Sequence, residues 1–432
     1  SNMHLKTQEV SVANIEIGMY ISRLDVPWVK TPFPIQGFYV TKQDEINLLA
    51  QYCNKVYIDT ILSKVDNPAI RHAKSAAGDS KKLDAKPRQL MNEKARMKSR
   101  VESYKVVTPI KKELKTADKV YSNVTSTIST AISQIESGEP IQINQVEKSI
   151  HKMVESVIRN PDALVWMSRI RQENAHLFES SIRAAVWGLV FARHLGLSRK
   201  DLNDVGAALI FSAIGKSKLP RELHIGELEE REQEFYRQHI DKTLEELEYM
   251  GAVNGQIKFI ISNFCERNNG SGYPRGLIGN RIPFLARVAG LSDYYESMIN
   301  PRPGIEALTP VEAVADLYHN RGILFQREMI ESFIQAIGIY PTGSLVELSD
   351  HSIGIVLEQR EKARLRPKVA LVRNNYGIDL EESKIIDLSE LNADDSGEPI
   401  EVLQSLPSSA IEVNTDILTD KLFGFKWFGM VN

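Results

Sequence analysis

Between Phe264 and Leu277 the chain reads Phe-Cys-Glu-Arg-Asn-Asn-Gly-Ser-Gly-Tyr-Pro-Arg-Gly-Leu. The chemistry open to such a stretch is recognition. Arg267, Arg275, Asn268 and Asn269 offer many hydrogen-bond donors, and the glycines with Pro274 fix a backbone shape that presents them. On composition alone a long surface loop is the favoured reading, and it is the order of the residues that argues otherwise. A second cationic stretch lies between Arg71 and Arg100, where ten Lys or Arg stand against three Asp or Glu. It lacks the interleaved aromatics of a nucleic-acid stacking surface, so a solvated linker is the preferred reading over a phosphate-binding arm. Two cysteines, Cys53 and Cys265, are too few for a disulfide framework and fit a reducing compartment. Cys53 falls on an apolar helical face and reads as a small buried hydrophobe.

The elements that must position these residues follow from length and periodicity. A chain of 432 residues exceeds one core and implies several domains. Net charge is −3, which gives no global bias toward nucleic acid or membrane. No signal peptide and no apolar run of bilayer length is evident, which points to the cytoplasm. Residues 4–65 read as a small α+β unit. Its strands carry Ile15, Ile17, Met19 and Ile21, then Val56 to Asp59, and a helix begins at a Thr41–Asp44 capping box. Residues 66–100 are the basic linker. Residues 101–338 read as all-α. Ile110, Leu114, Ala117, Tyr121, Val124 and Ile128 make a stripe near heptad spacing, for which packing on the next helices is preferred and a homodimer seam is the alternative. Pro161 opens a helix at its first position and Ser198 caps another. One later helix is read from Phe235 to Met250. Residues 339–432 switch to short alternating runs, a β-rich extension forming a small sheet or a barrel-like domain. The aromatic segment Lys421 to Phe428 is expected to pack back on the protein.

The order Glu-Arg-x-x-Gly-x-Gly-Tyr-Pro-x-Gly-Leu, followed by Ile282-Pro283 and Ala286-Arg287, closely resembles the signature loop of the HD-GYP family. That family comprises bacterial metal-dependent phosphodiesterases acting on cyclic di-GMP. Small accessory domains ahead of the helical core and a β-rich tail opened by Tyr-Pro-x-Gly also occur in it. Such hydrolysis needs clustered carboxylates and imidazoles that hold metals about 4 Å apart. The resemblance implies ligands from five places. Glu179 stands at the first, in place of histidine. Ser212 and Ala213 stand where the His-Asp pair belongs, in Ile-Phe-Ser-Ala-Ile-Gly-Lys. His239 retains the third, Phe264 and Cys265 replace a His-His pair, and Asp293 retains the fifth. The aspartate of the loop is Asn269. His176, His194 and His319 show no ligand spacing with these positions.

Without the bridging aspartate a binuclear centre loses the charge that holds two cations together. No cofactor is therefore expected; the residual candidates His239, Asp293, Glu179 and Cys265 would at most hold one divalent transition metal such as iron, manganese or zinc. Ligand-binding positions are better kept. Lys216 and Arg302 match phosphate-facing cations, Tyr273 is the signature tyrosine, and Gly304 replaces a tyrosine that usually follows. The resemblance thus implies a catalytically inactive HD-GYP-like signalling protein of cyclic di-GMP pathways, with no catalytic residue, acting as a protein-interaction module and nucleotide receptor. The alternative is a phosphodiesterase with a reduced metal site. GGDEF-type cyclase domains or other signalling proteins are the implied protein partners, met by the loop residues Arg267, Asn269, Gly272, Tyr273, Pro274 and Arg275.

Overall fold

A computed structural model describes residues 7–26, 37–59, 103–171, 177–251, 253–359, 365–390 and 397–407, with 31, 63, 394, 410–414, 418–420 and 422. The basic linker and, apart from Leu422, the aromatic segment lie outside the described residues. The chain groups into two compact units, one of residues 1–85, 308–323 and 338–413, the other of residues 86–307, 324–337 and 414–432.

The first unit holds two antiparallel sheets. Strands β1 (Thr7–Ser11), β2 (Tyr20–Leu24), β3 (Phe38–Tyr39) and β4 (Lys55–Asp59) pair in the order β1-β4-β2-β3, with helix α1 (Gln43–Tyr52) preceding β4. The expected Thr41–Asp44 box is shifted by one residue. Thr41 bonds Glu45 instead, its hydroxyl 2.6 Å from Oε1, while Lys42 caps α1 without a side-chain bond. Ile21, Val40, Leu49 and Val56 are fully buried and make this unit's first core. Strands β5 (Leu345–Leu348), β6 (Ile353–Glu358), β7 (Lys368–Arg373), β8 (Asp379–Asp387) and β9 (Val402–Leu406) form the second sheet, in the order β8-β7-β6-β5-β9. It is open: β8 and β9 are its edges and do not pair with each other. The barrel-like expectation is therefore corrected to an open sheet among the described residues.

The second unit is helical. It contains α2 (Ile110–Glu136), α3 (Ile143–Arg159), α4 (Pro161–Ile170), α5 (Leu177–His194), α6 (Arg199–Ser217), α7 (Glu230–Arg237), α8 (His239–Met250), α9 (Gly255–Asn263) and α10 (Phe284–Ile299); α11 (Pro310–His319) belongs to the first unit and α12 (Arg327–Ile337) returns to the second. Caps act where the sequence places them. Asn160 accepts from Asp162 N ahead of Pro161, and Ser198 accepts from Asp201 N. The single helix expected over 235–250 is instead two, α7 and α8, meeting at Gln238. Helix α6 is buried on all sides from Asp204 to Gly215, the mark of a central helix rather than a surface one. Around α5 and α10, Trp187 meets Tyr295 edge-on at 5.2 Å, and Phe333 touches both Phe191 and Tyr295. No described helix is long and apolar enough to cross a membrane.

Candidate functional site

The C-terminal end of α6 delivers Ser212, Ala213 and Lys216 to one place because α8 crosses it at backbone contact. A Cβ on Gly215 would lie 2.0 Å from the His239 carbonyl oxygen. Ser212 points back into its own helix and donates to Leu209 O at 2.6 Å. Ala213 is buried, and so is Phe264, whose ring lies 6.3 Å from that of His239.

Lys216 faces Asp293 of α10, Nζ to Oδ1 3.7 Å. Burial alone would depress the Lys216 ammonium, but Asp293, with Tyr236 and Cys265, outweighs it and holds the pKa above its usual value. His239 is buried at the start of α8. Its Nε2 lies 2.8 Å from the Tyr273 hydroxyl, and its Nδ1 has no hydrogen-bond partner. Burial first, then Lys216 and His224, drives His239 well below the ordinary 6.5, so the imidazole is neutral. The Cys265 thiol is pushed up to about 11 by burial and then by Asp293, despite its bond with Tyr273. It stays protonated and is a poor nucleophile.

Arg302 is spent partly on structure. Its Nη1 donates to Leu223 O at 2.7 Å, and its guanidinium lies 4.8 Å over the Tyr236 ring. His224, in the 3₁₀ turn Arg221–His224, sits 2.9 Å through Nε2 from Lys216 O. Lys216, His239, Cys265, Tyr273, Asp293 and Arg302 therefore form one continuous cluster. Glu179 belongs to a different network. It lies 3.7 Å from Arg183, whose Nε meets Glu296 at 2.5 Å, while Trp187 and Asn300 also donate to Glu296.

The glycine-rich loop is organised by a residue that the sequence reading passed over. Glu266, 3% exposed, accepts from Arg275 N at 2.7 Å and from Leu277 N at 2.9 Å. Its place directly before a long loop whose backbone donors have no helix or strand ladder to serve them was the available signal. Gly272 is required, since a Cβ there would lie 2.4 Å from both Arg267 N and Cys265 O. The donors expected to face a partner are partly consumed within the loop. Arg267 Nη1 bonds the Phe264 and Glu266 carbonyls at 3.0 Å and its guanidinium stacks 5.0 Å from the Phe325 ring. Arg275 Nη2 meets Asn263 Oδ1 at 2.6 Å, and Asn269 Oδ1 accepts from Ser271 N. Asn269, Pro274 and Arg275 are exposed, Tyr273 is half-buried, and the Tyr273–Pro274 peptide is cis.

This donor set does not fit a metal pair. Asp293 faces an ammonium, the Cys265 thiol keeps its proton, His239 Nε2 is engaged by a phenol, and Glu179 faces a guanidinium. Among the described residues, no three His, Cys, Asp or Glu side chains come together in a metal-holding group.

The arrangement belongs to a known class. Residues 165–328 match the HD domain, residues 7–146 a domain of unknown function (DUF3391), and residues 345–393 the KOW domain associated with HD domains. The HD match lies in sequence between the matches to these two modules. The chain is 25% identical over 366 residues to cyclic di-GMP phosphodiesterase PA4108 of Pseudomonas aeruginosa, covering 84% of each chain. It is 34% identical over 155 residues to the cyclic di-GMP phosphodiesterase response regulator RpfG of Xanthomonas campestris, covering 35% of this chain and 40% of that one. A solved HDG"Y"P protein of Bdellovibrio bacteriovorus, Bd1817, overlaps 76% of this chain and 98% of its own at 13% identity, with a TM-score of 0.39.

Proposed function

We propose that this chain serves cyclic di-GMP signalling as a non-hydrolysing HD-GYP-type protein that receives the nucleotide and a partner protein. The observation that carries the reading is the Lys216–Asp293 ion pair, which puts a buried ammonium against a surviving ligand-type carboxylate. A fixed cation there favours a phosphate, while beside it Ser212 is turned into its own helix and Ala213 and Phe264 offer no ligand atom. Around it, Arg302 supplies a second cation and Tyr273 supplies a ring, a combination suited to an anionic dinucleotide. The test is calorimetric titration with cyclic di-GMP, run beside a turnover assay with Mn²⁺ or Fe²⁺ under reducing conditions. We expect binding without product. Arg302→Ala weakens binding by about tenfold or more, the loss of one charge-assisted bond. Steady product formation that disappears in His239→Ala would instead establish a phosphodiesterase with a reduced metal site.

The exposed part of the glycine-rich loop is the proposed contact for a GGDEF-type protein, supported by Arg275 and Pro274 at the surface. Recovery of such a partner falls in a Tyr273→Ala, Arg275→Ala double variant. Equal recovery from both proteins leaves the loop as a cover of the site.

A further inference from the structure

Helix α7 has no buried residue, although it lies against the cluster just described. Eight residues are too few for a helix to be stable alone in water, and this one carries large apolar side chains only at Phe235 and Tyr236 in its last turn. A Glu229–Glu232 capping box and a bond from Gln233 Nε2 to Leu228 O at 3.1 Å close its first turn locally, and its ring and cation contacts to the cluster gather in its last turn. The Tyr236 ring lies 5.1 Å from His239 and 6.0 Å from His224, with the Arg302 guanidinium over its face. Arg237 lies 5.0 Å over the Tyr273 ring. At the other end, Gly226 N donates to Pro303 O at 2.7 Å with φ +67°, which ties the start of this segment to the loop that carries Arg302.

Tyr236 thus occupies a particular position: a flat ring under a guanidinium, beside two imidazoles and close enough to act on the Lys216 ammonium. A nucleobase joined to a phosphate would use the same surface, with its ring on Arg302 and its charge toward Lys216. The segment leading into this position carries Glu227, Glu229, Glu230, Glu232 and Glu234 against Arg231 and Arg237. An incoming anion meets net negative charge there.

We propose that α7 is an autoinhibitory clasp in which Tyr236 fills the stacking place of the ligand's base and must leave before an anionic nucleotide can bind. The inference rests on the nucleotide-receptor reading above and adds its regulation. Because α7 is held by a few ring and cation contacts, the closed form costs little to open. Binding energy drawn from phosphate contacts is sufficient to displace it.

The experiment uses the full chain with Tyr236→Ala, Tyr236→Phe and Arg237→Ala. It pairs hydrogen–deuterium exchange of α7 with calorimetric titration of cyclic di-GMP. Tyr236→Ala raises exchange across residues 230–237 and tightens nucleotide binding, each by about tenfold, while Tyr236→Phe, which keeps the ring, matches the parent protein. Arg237→Ala, altered at an exposed position, repeats the effect more weakly. Unchanged α7 exchange in both alanine variants overturns the clasp. Faster exchange with equal or weaker affinity overturns the autoinhibition and leaves the receptor reading standing. Absence of binding in every protein overturns both.

Discussion

His239 offers a test of the site that needs no ligand. The imidazole is 1% exposed, neutral, and driven well below 6.5 chiefly by burial, with two cationic groups adding to the shift. In the unfolded chain it titrates normally. As pH falls through 6.5 the unfolded state therefore takes up a proton that the folded state refuses, and stability falls with pH. One such group contributes nothing at about pH 7.5 and costs about 1.4 kcal/mol at about pH 5.5, one unit below the normal value. His224, also shifted downward by burial first, acts in the same direction but is less enclosed. Urea unfolding of the parent protein and of His239→Gln, followed by tryptophan fluorescence, isolates the His239 share. Trp166 and Trp187 are buried in the same unit and report on it. We expect the gap between the two proteins to narrow by about 1.4 kcal/mol between pH 7.5 and pH 5.5, because the variant lacks the titrating ring. Parallel stability curves over that range would refute a neutral buried His239 and with it the cationic character assigned to the cluster.

Two further substitutions probe how the site is built. Glu266→Gln keeps the shape but replaces a charged acceptor of two backbone N–H groups, so the loop loses about 1.5–3 kcal/mol of local stability, seen as faster proteolysis between residues 266 and 277. Gly215→Ala drives a methyl group into the His239 carbonyl and pries α6 from α8; it lowers stability by about 1–3 kcal/mol or more, measured by thermal unfolding.

The helical core was legible because its signals are local. Asn160 with Pro161, Ser198, and the apolar stripe from Ile110 to Ile128 each mark a helix through hydrogen-bond caps or spacing. The split at Gln238 was not legible, since α7 buries no side chain and offers periodicity only the adjacent pair Phe235 and Tyr236. The second sheet announced itself by alternating runs, but closure depends on edge pairing between strands far apart in sequence, and β8 and β9 do not meet. At the site, the resemblance placed Lys216, Tyr273 and Arg302 near one another, and the structure brings them to one cluster. What no spacing revealed is the use already made of their donors. Arg302 serves Leu223 and Tyr236, and Arg267 serves its own loop. Glu179 shows the same limit from the other side, because its neighbour Arg183 is shared with Glu296, more than a hundred positions away.

One contact sets a schedule for the chain's synthesis. Trp166, fully buried in the helical unit, donates its indole N–H to Thr419 Oγ1 at 3.1 Å across 253 positions of sequence. Thr419 is itself fully buried and Leu418 nearly so. A ribosome therefore exposes most of the helical unit long before the residues that close over Trp166 exist, and meanwhile assembles the sheet strands β5 to β9 from the intervening chain. Until residue 419 emerges, that indole must remain hydrated or find a substitute acceptor. The nascent helical unit lacks this closing bond while its remaining helices are already available to pack.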